Sequence, residues 1–331
     1  VTAAGGPRPG GAAQPGGAAG PGGLTRPLLS LLAAAACTAA LVGLARAAVG
    51  TASGQRLDQL ILSGAGAHQG PVSRYAELAV ETVSVPVVAV LLGLAVLLVL
   101  LRRRADLLLP LGVLVLGANL TTQVIKHLLV TREALAPNID ITPNSFPSGH
   151  TTLAATAMIA LVLAGGRARV MLAPLGALWT LAAGIGTLVV GWHRPSDVVG
   201  AIVVAAAWTF LVLGADGLRE RSRRARAAAR PGHGRRRRSA EPSAPTTSRA
   251  HRAELVCAAL LGLGGAAGLA YGALSLASLG LPLDLRDTAQ QLDAFIATSA
   301  LIAGGTGSWL ALTLLLRTPT SRRPRTAERV P

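Results

Sequence analysis

The side chains best suited to chemistry fall in three clusters, each at the end of a long apolar run. The longest is Asn144-Ser145-Phe146-Pro147-Ser148-Gly149-His150-Thr151-Thr152, a polar turn that breaks straight into a helix-length hydrophobic stretch. Gly149 lets the backbone approach a ligand closely, and the first turn of a helix directs free amides and its positive end outward. Ser148, the Gly149 amide and His150 thereby gather a hydroxyl, a backbone donor and an imidazole. Ser and Gly are also ordinary helix-capping residues, so the turn by itself fits either role. Downstream, Gly191-Trp192-His193-Arg194-Pro195-Ser196-Asp197 sets a histidine four residues before an aspartate across a predicted helix start. The carboxylate can reach the imidazole Nδ1 and fix its tautomer, leaving Nε2 as base or nucleophile. A structural histidine paired with a helix-start aspartate satisfies the same spacing. Upstream, Lys126 follows Asn119, Thr122 and Gln123 at helical spacing, so one face of an apolar helix turns polar near its end. Lys126 is the single lysine among 31 basic residues, and Arg132 follows it. Ionisable groups at such places face a bundle interior or a watery cavity, and both cations suit an anion such as phosphate. A lysine snorkelling to the interface is the competing account.

The elements that must position these clusters are membrane helices. With 51% hydrophobic and 14% charged residues in 331, and a mean hydropathy of +0.52, the chain is too apolar for an ordinary soluble domain. Runs long enough to cross about 30 Å of hydrocarbon fall near 28–49, 78–101, 106–129, 150–166, 170–191, 197–218, 253–279 and 293–316. The fold class is therefore all-α: a polytopic membrane helical bundle with a six-span core and two additional C-terminal transmembrane helices. Its expected parts are a disordered Gly-, Pro- and Ala-rich N-terminal tail (1–25), the six-span core (26–218), a basic cytoplasmic linker (219–252), a transmembrane hairpin (253–316) and a basic cytoplasmic tail (317–331).

Arginine tests the topology. It concentrates in alternate connections, at Arg102 to Arg104, Arg167 and Arg169, Arg219 to Arg252 and beyond Arg317. By the positive-inside rule these connections and both termini are cytoplasmic, in a cytoplasmic membrane, and all three polar clusters face outward. The formal net charge of +16 then reflects topology and contact with anionic membrane lipids, and nucleic acid is not expected as a partner. Cys37 and Cys257 lie far apart inside apolar runs, which argues against a disulfide framework or a metal knuckle.

Taken together, Lys126-(five residues)-Arg132, Pro147-Ser148-Gly149-His150 and His193-(three residues)-Asp197 resemble the three-part signature of the PAP2 family of phosphatases. The resemblance covers about 28–218 and not the C-terminal hairpin. It implies an integral-membrane lipid phosphatase acting at the outer leaflet, in which His193 attacks phosphorus, Asp197 orients it, and His150 protonates the leaving oxygen and later activates water. Lys126, Arg132, Ser148 and the Gly149 amide would hold the non-bridging oxygens. No metal or other cofactor is expected, and the implied partner is a lipid phosphate of polyprenyl or glycerolipid type.

Two positions depart from the family pattern. Arg132 is followed by Glu133 rather than proline, and the arginine expected six residues before His193 is Thr187. Arg194 is the candidate substitute phosphate ligand, since a guanidinium can bind phosphate bidentately. The alternative function is a catalytically impaired relative that binds a lipid phosphate or a partner as a scaffold. A phosphotransferase to a sugar or lipid hydroxyl is a third reading.

Overall fold

The computed structural model describes residues 22–67, 69–137, 139, 144–229 and 249–317, and among these the regular secondary structure is all helix. The helices are α1 (Gly22–Leu44), α2 (Ala52–Ala67), α3 (Gln69–Glu81), α4 (Val85–Leu101), α5 (Leu108–Val124), α6 (Gly149–Ala164), α7 (Arg169–Val189), α8 (Pro195–Ala229), α9 (Arg249–Ala277) and α10 (Thr288–Leu316). Single π-helical turns, Ala45–Val49 and Ile125–Leu129, extend α1 and α5.

Among the described residues six segments are long and apolar enough to cross a bilayer: Leu24–Val49, Ala105–Leu129, Gly166–Val189, Pro195–Arg226, Arg249–Ala277 and Thr288–Leu316. The protein is thus an all-α polytopic membrane bundle. Two of the eight expected spans take a different form. The run at 78–101 is a bent pair, Ser73–Glu81 and Val85–Leu101, inclined at 55°. Thr82 to Ser84 interrupt it, and Pro86 opens α4, where its missing amide costs no helical bond. The run at 150–166 forms α6, whose 16 residues are buried almost throughout. It packs against α4, α5, α7 and α8, and its small side chains, including Ala154, Ala155, Ala157 and Ala160, let four neighbours approach at once.

The connection expected at 50–77 holds α2 and most of α3. The expected part boundaries also shift where they can be seen. Helix α1 begins at Gly22, inside the expected tail, and the expected linker is helical at 219–229 and 249–252. The rest of the tail, linker and C-terminal segment lies outside the described residues.

The hairpin is not a detached unit. Helices α9 and α10 touch backbone to backbone along glycines: a Cβ on Gly272 would meet the Ala297 carbonyl oxygen at 2.5 Å, and one on Gly304 the Leu269 nitrogen at 2.5 Å. Helix α10 then packs on α2, α7 and α8. Gly64 of α2 lies so close that an added Cβ would sit 2.2 Å from the Gln291 carbonyl oxygen.

Polar residues join α5 to α6. Asn119 Nδ2 donates to Thr156 Oγ1 at 3.1 Å, and the Thr122 and Thr152 hydroxyls share a hydrogen bond of 3.0 Å. The polar face leading to Lys126 is therefore turned toward the helix that begins with the Ser148 turn. At the other end of the bundle, Glu254 of α9 pairs with Arg169 at 3.3 Å and Arg317 at 3.8 Å.

Candidate active site

The three clusters meet where α5 ends and α6 and α8 begin. Helix α6 starts because Ser148, in extended conformation, caps it: its buried Oγ accepts from the Thr151 amide at 3.3 Å and from the Thr151 hydroxyl at 3.0 Å. Ser148 is fully buried, so of its two expected roles the structure displays the cap. Gly149, by contrast, faces space: an added Cβ would find only Gln123 Nε2, at 3.9 Å. His150 follows on the exposed side of the first turn.

Asn144 ties this turn to α5. Its Nδ2 donates to the carbonyls of Lys126, at 2.9 Å, and Val130, while its Oδ1 accepts from the Phe146 amide at 3.1 Å. Lys126 is half-buried and close enough to interact electrostatically with both His150 and Asp197.

His193 is carried by a tight turn after α7. Gly191 adopts φ +79°, a conformation open to glycine at little cost. The Thr187 carbonyl then accepts from the amides of Trp192, at 2.9 Å, and His193, at 3.2 Å. The Thr187 hydroxyl donates to the Gly184 carbonyl at 2.7 Å, and its side chain is fully buried. The position that departs from the family pattern is therefore a structural pin for the histidine-bearing turn.

Asp197 is fully buried at the start of α8 and collects the site around it. Its Oδ2 accepts from the Arg194 amide at 2.9 Å and from the Ser145 hydroxyl, and lies 3.5 Å from His193 Nδ1. That last contact is long for a hydrogen bond. It does put the carboxylate against Nδ1 rather than Nε2, as the four-residue spacing predicts. The backbone closes the circle, because the Ser148 amide donates to the Asp197 carbonyl at 2.9 Å and so joins the α6 start to the α8 start. The rings of His150 and His193 lie 6.1 Å apart between centroids, inclined at 60°, and Trp192 covers His150 at 5.6 Å.

Arg132 reaches the same cluster but is not a solitary cation. Its side chain, only 4% exposed, places Nη2 at 3.2 Å from Asp58 Oδ2, 3.2 Å from Ser196 Oγ and 3.9 Å from Asp197 Oδ1. Its Nε and Nη1 are buried with no hydrogen-bond partner. Arg194 is buried, with its amide committed to Asp197. Glu133, next to Arg132, is exposed.

Asp58 has no counterpart in the sequence reading. It accepts from the Ser196 amide at 3.1 Å and from the Ser196 hydroxyl, and burial, reinforced by the charge of Asp197, pushes its carboxyl up to about 6 despite Arg132 and the Ser196 donors. Nothing in its spacing marks it, because Asp58 is far from every motif in sequence.

Behind the same helix start lies a cavity of about 990 Å³ between the core and the hairpin. Asp58 and Ser196 stand among its lining residues, which are otherwise mostly apolar, with Ile202, Phe210, Leu276, Ile302 and Trp309 among them. Leu269, Leu281 and Leu312, also on its walls, remain exposed, so it opens to the surroundings of the bundle.

No curated protein and no solved structure matches the chain. The segment running from the start of α5 into α8, residues 107–220, matches the family model of the PAP2 superfamily, whose proteins are generally phosphatases.

Proposed function

We propose that the protein is a membrane lipid phosphatase that hydrolyses a phosphomonoester or pyrophosphate of a polyprenyl or glycerolipid through a phosphohistidine, with its site at the outer leaflet of the cytoplasmic membrane. One observation carries the reading: His193, backed at Nδ1 by the buried Asp197, faces a second imidazole, His150, beside an arginine with two buried, unpartnered nitrogen atoms. A buried cationic donor without a partner is costly to keep and is stabilised by an anion.

In the first step His193 Nε2 attacks phosphorus and the phosphorus–oxygen bond to the lipid breaks. His150, protonated, gives its proton to the departing oxygen. In the second step neutral His150 takes a proton from water as the water oxygen attacks phosphorus, the bond to Nε2 breaks, and inorganic phosphate leaves. Lys126, Arg132 and the Gly149 amide hold the non-bridging oxygens, and Arg194 is a further phosphate ligand. Ser148 serves the phosphate chiefly by fixing the α6 start from which the Gly149 amide points. The hydrocarbon of the substrate occupies the apolar cavity beside α8, whose volume is at the upper end of the roughly 300–1,000 Å³ typical of ligand sites.

The test uses the purified full chain in detergent with chelator, offered phosphatidic acid, phosphatidylglycerol phosphate and a polyprenyl pyrophosphate. Phosphate release that disappears in His193→Ala supports the reading. Full release by His193→Ala from each lipid that the native protein cleaves would overturn it. The scaffold reading draws on the engagement of Arg132 by Asp58; lipid-phosphate binding without turnover by the native chain would favour it.

A further inference from the structure

Helix α2 lies outside residues 107–220, yet two of its side chains grip the segment that carries Arg132. Gln55 Nε2 donates to the carbonyls of Val49, at 2.9 Å, and Glu133, at 2.7 Å, while its Oε1 accepts from the Leu135 amide at 3.0 Å. Asp58, one helical turn further along the same face, holds the Arg132 side chain at 3.2 Å and both the amide and the hydroxyl of Ser196. Gln55 and Asp58 are both buried, at 3% and 4% exposure. Residues 130–135 have no regular secondary structure of their own, so their conformation is set by such outside contacts.

We propose that α2 is a positioning clamp for the phosphate site: Gln55 fixes the backbone just after Arg132, at Glu133 and Leu135, and Asp58 fixes the direction of its guanidinium. The clamp rests on the reading in which Arg132 meets phosphate. An arginine free to rotate loses side-chain entropy when it binds, whereas one already held at Nη2, with Nε and Nη1 left without partners, has that ordering done in advance. This matters more in a chain with threonine at position 187, where fewer cations share the phosphate. The charged and titratable groups facing Asp58 are Arg132 from the preceding segment and Asp197 from α8. The carboxylate is the form that holds Arg132. Its protonation as pH falls through about 6 releases the guanidinium.

A double-mutant cycle on the full chain tests the clamp. Native protein, Asp58→Asn, Arg132→Ala and the double variant are compared for kcat/KM on the lipid phosphate the native protein cleaves best, with thermal unfolding as a check on folding. Asp58→Asn is expected to lower kcat/KM about 10- to 100-fold, as when an orienting outer partner is lost, and to have no further effect in the Arg132→Ala background. Asp58→Glu is expected to recover part of the loss. Losses that multiply in the double variant, or an Asp58→Asn protein with native kcat/KM and pH profile, would overturn the proposal. If the native chain cleaves no lipid phosphate, the phosphatase reading fails by itself. The cycle is then read from stabilisation by inorganic phosphate: a smaller shift in Asp58→Asn supports the clamp, and an equal shift, or none in the native chain, overturns it.

Discussion

His150 and His193 face one another with ring centroids 6.1 Å apart, although 42 residues separate them in sequence. The Ser148 amide bonded to the Asp197 carbonyl enforces this pairing, because it locks the first turns of α6 and α8 together. Two imidazoles this close can both touch one small group, which is what a nucleophile and a proton donor acting on opposite bonds of a phosphate require.

The division of labour between them predicts different leaving-group behaviour. His193→Ala abolishes turnover of every substrate. His150→Ala slows cleavage of lipid phosphates about 100- to 10,000-fold, the usual weight of general acid–base catalysis. It has a smaller effect on an aryl phosphate, whose leaving oxygen needs no proton. Phosphate release assayed side by side for the two substrate classes checks this.

Asp58 should govern stability according to what replaces it. Asp58→Leu leaves the Arg132 guanidinium buried beside an apolar group, and removing one partner of a buried ion pair typically costs about 3–5 kcal/mol. Asp58→Asn retains acceptors for Ser196 and is expected to cost much less. Thermal unfolding of the detergent-solubilised variants measures both.

The same carboxyl gives a pH signature with a definite sign. Its folded value, about 6, lies above the ordinary carboxyl value of 3.8, so its contribution to stability is full below about pH 4 and is lost as pH rises through about 6. Activity runs the other way, since the charged form holds Arg132. Native protein should therefore lose stability and gain kcat across this window, and Asp58→Asn should flatten the stability change. Unfolding and kcat profiles from pH 4 to 8 test the pair of trends.

Thr187→Arg, which restores the residue type of the family pattern, is expected to harm rather than help. Thr187 is fully buried, and its hydroxyl and carbonyl both hold the α7 end and the turn leading to His193. Overpacking of this kind costs typically about 1–3 kcal/mol. A lower melting temperature with no rise in kcat/KM is the expected result.

Filling the cavity should discriminate by chain length. Ile302→Trp on α10 narrows it without touching the histidines. KM for long-chain lipid phosphates is expected to rise several-fold while short-chain analogues are unaffected, measured in mixed micelles at fixed detergent ratio.

Much of this protein is legible in its sequence alone, because local chemistry decides it. The apolar runs require membrane helices, since backbone amides in hydrocarbon must bond within their own segment. The pair His193 and Asp197, and the cap at Ser148, follow from spacings of three and four residues on a helix start. Contacts between distant residues are set by packing, and no local pattern encodes them. The bend before α4, the burial of the short α6, the seating of α10 against α2, and above all Asp58 reaching Arg132 and Ser196 across 74 and 138 residues exist only once the helices have assembled. Sequence therefore determined which residues carry groups chemically suited to a phosphate, and tertiary structure decided which of them lie together and what holds them.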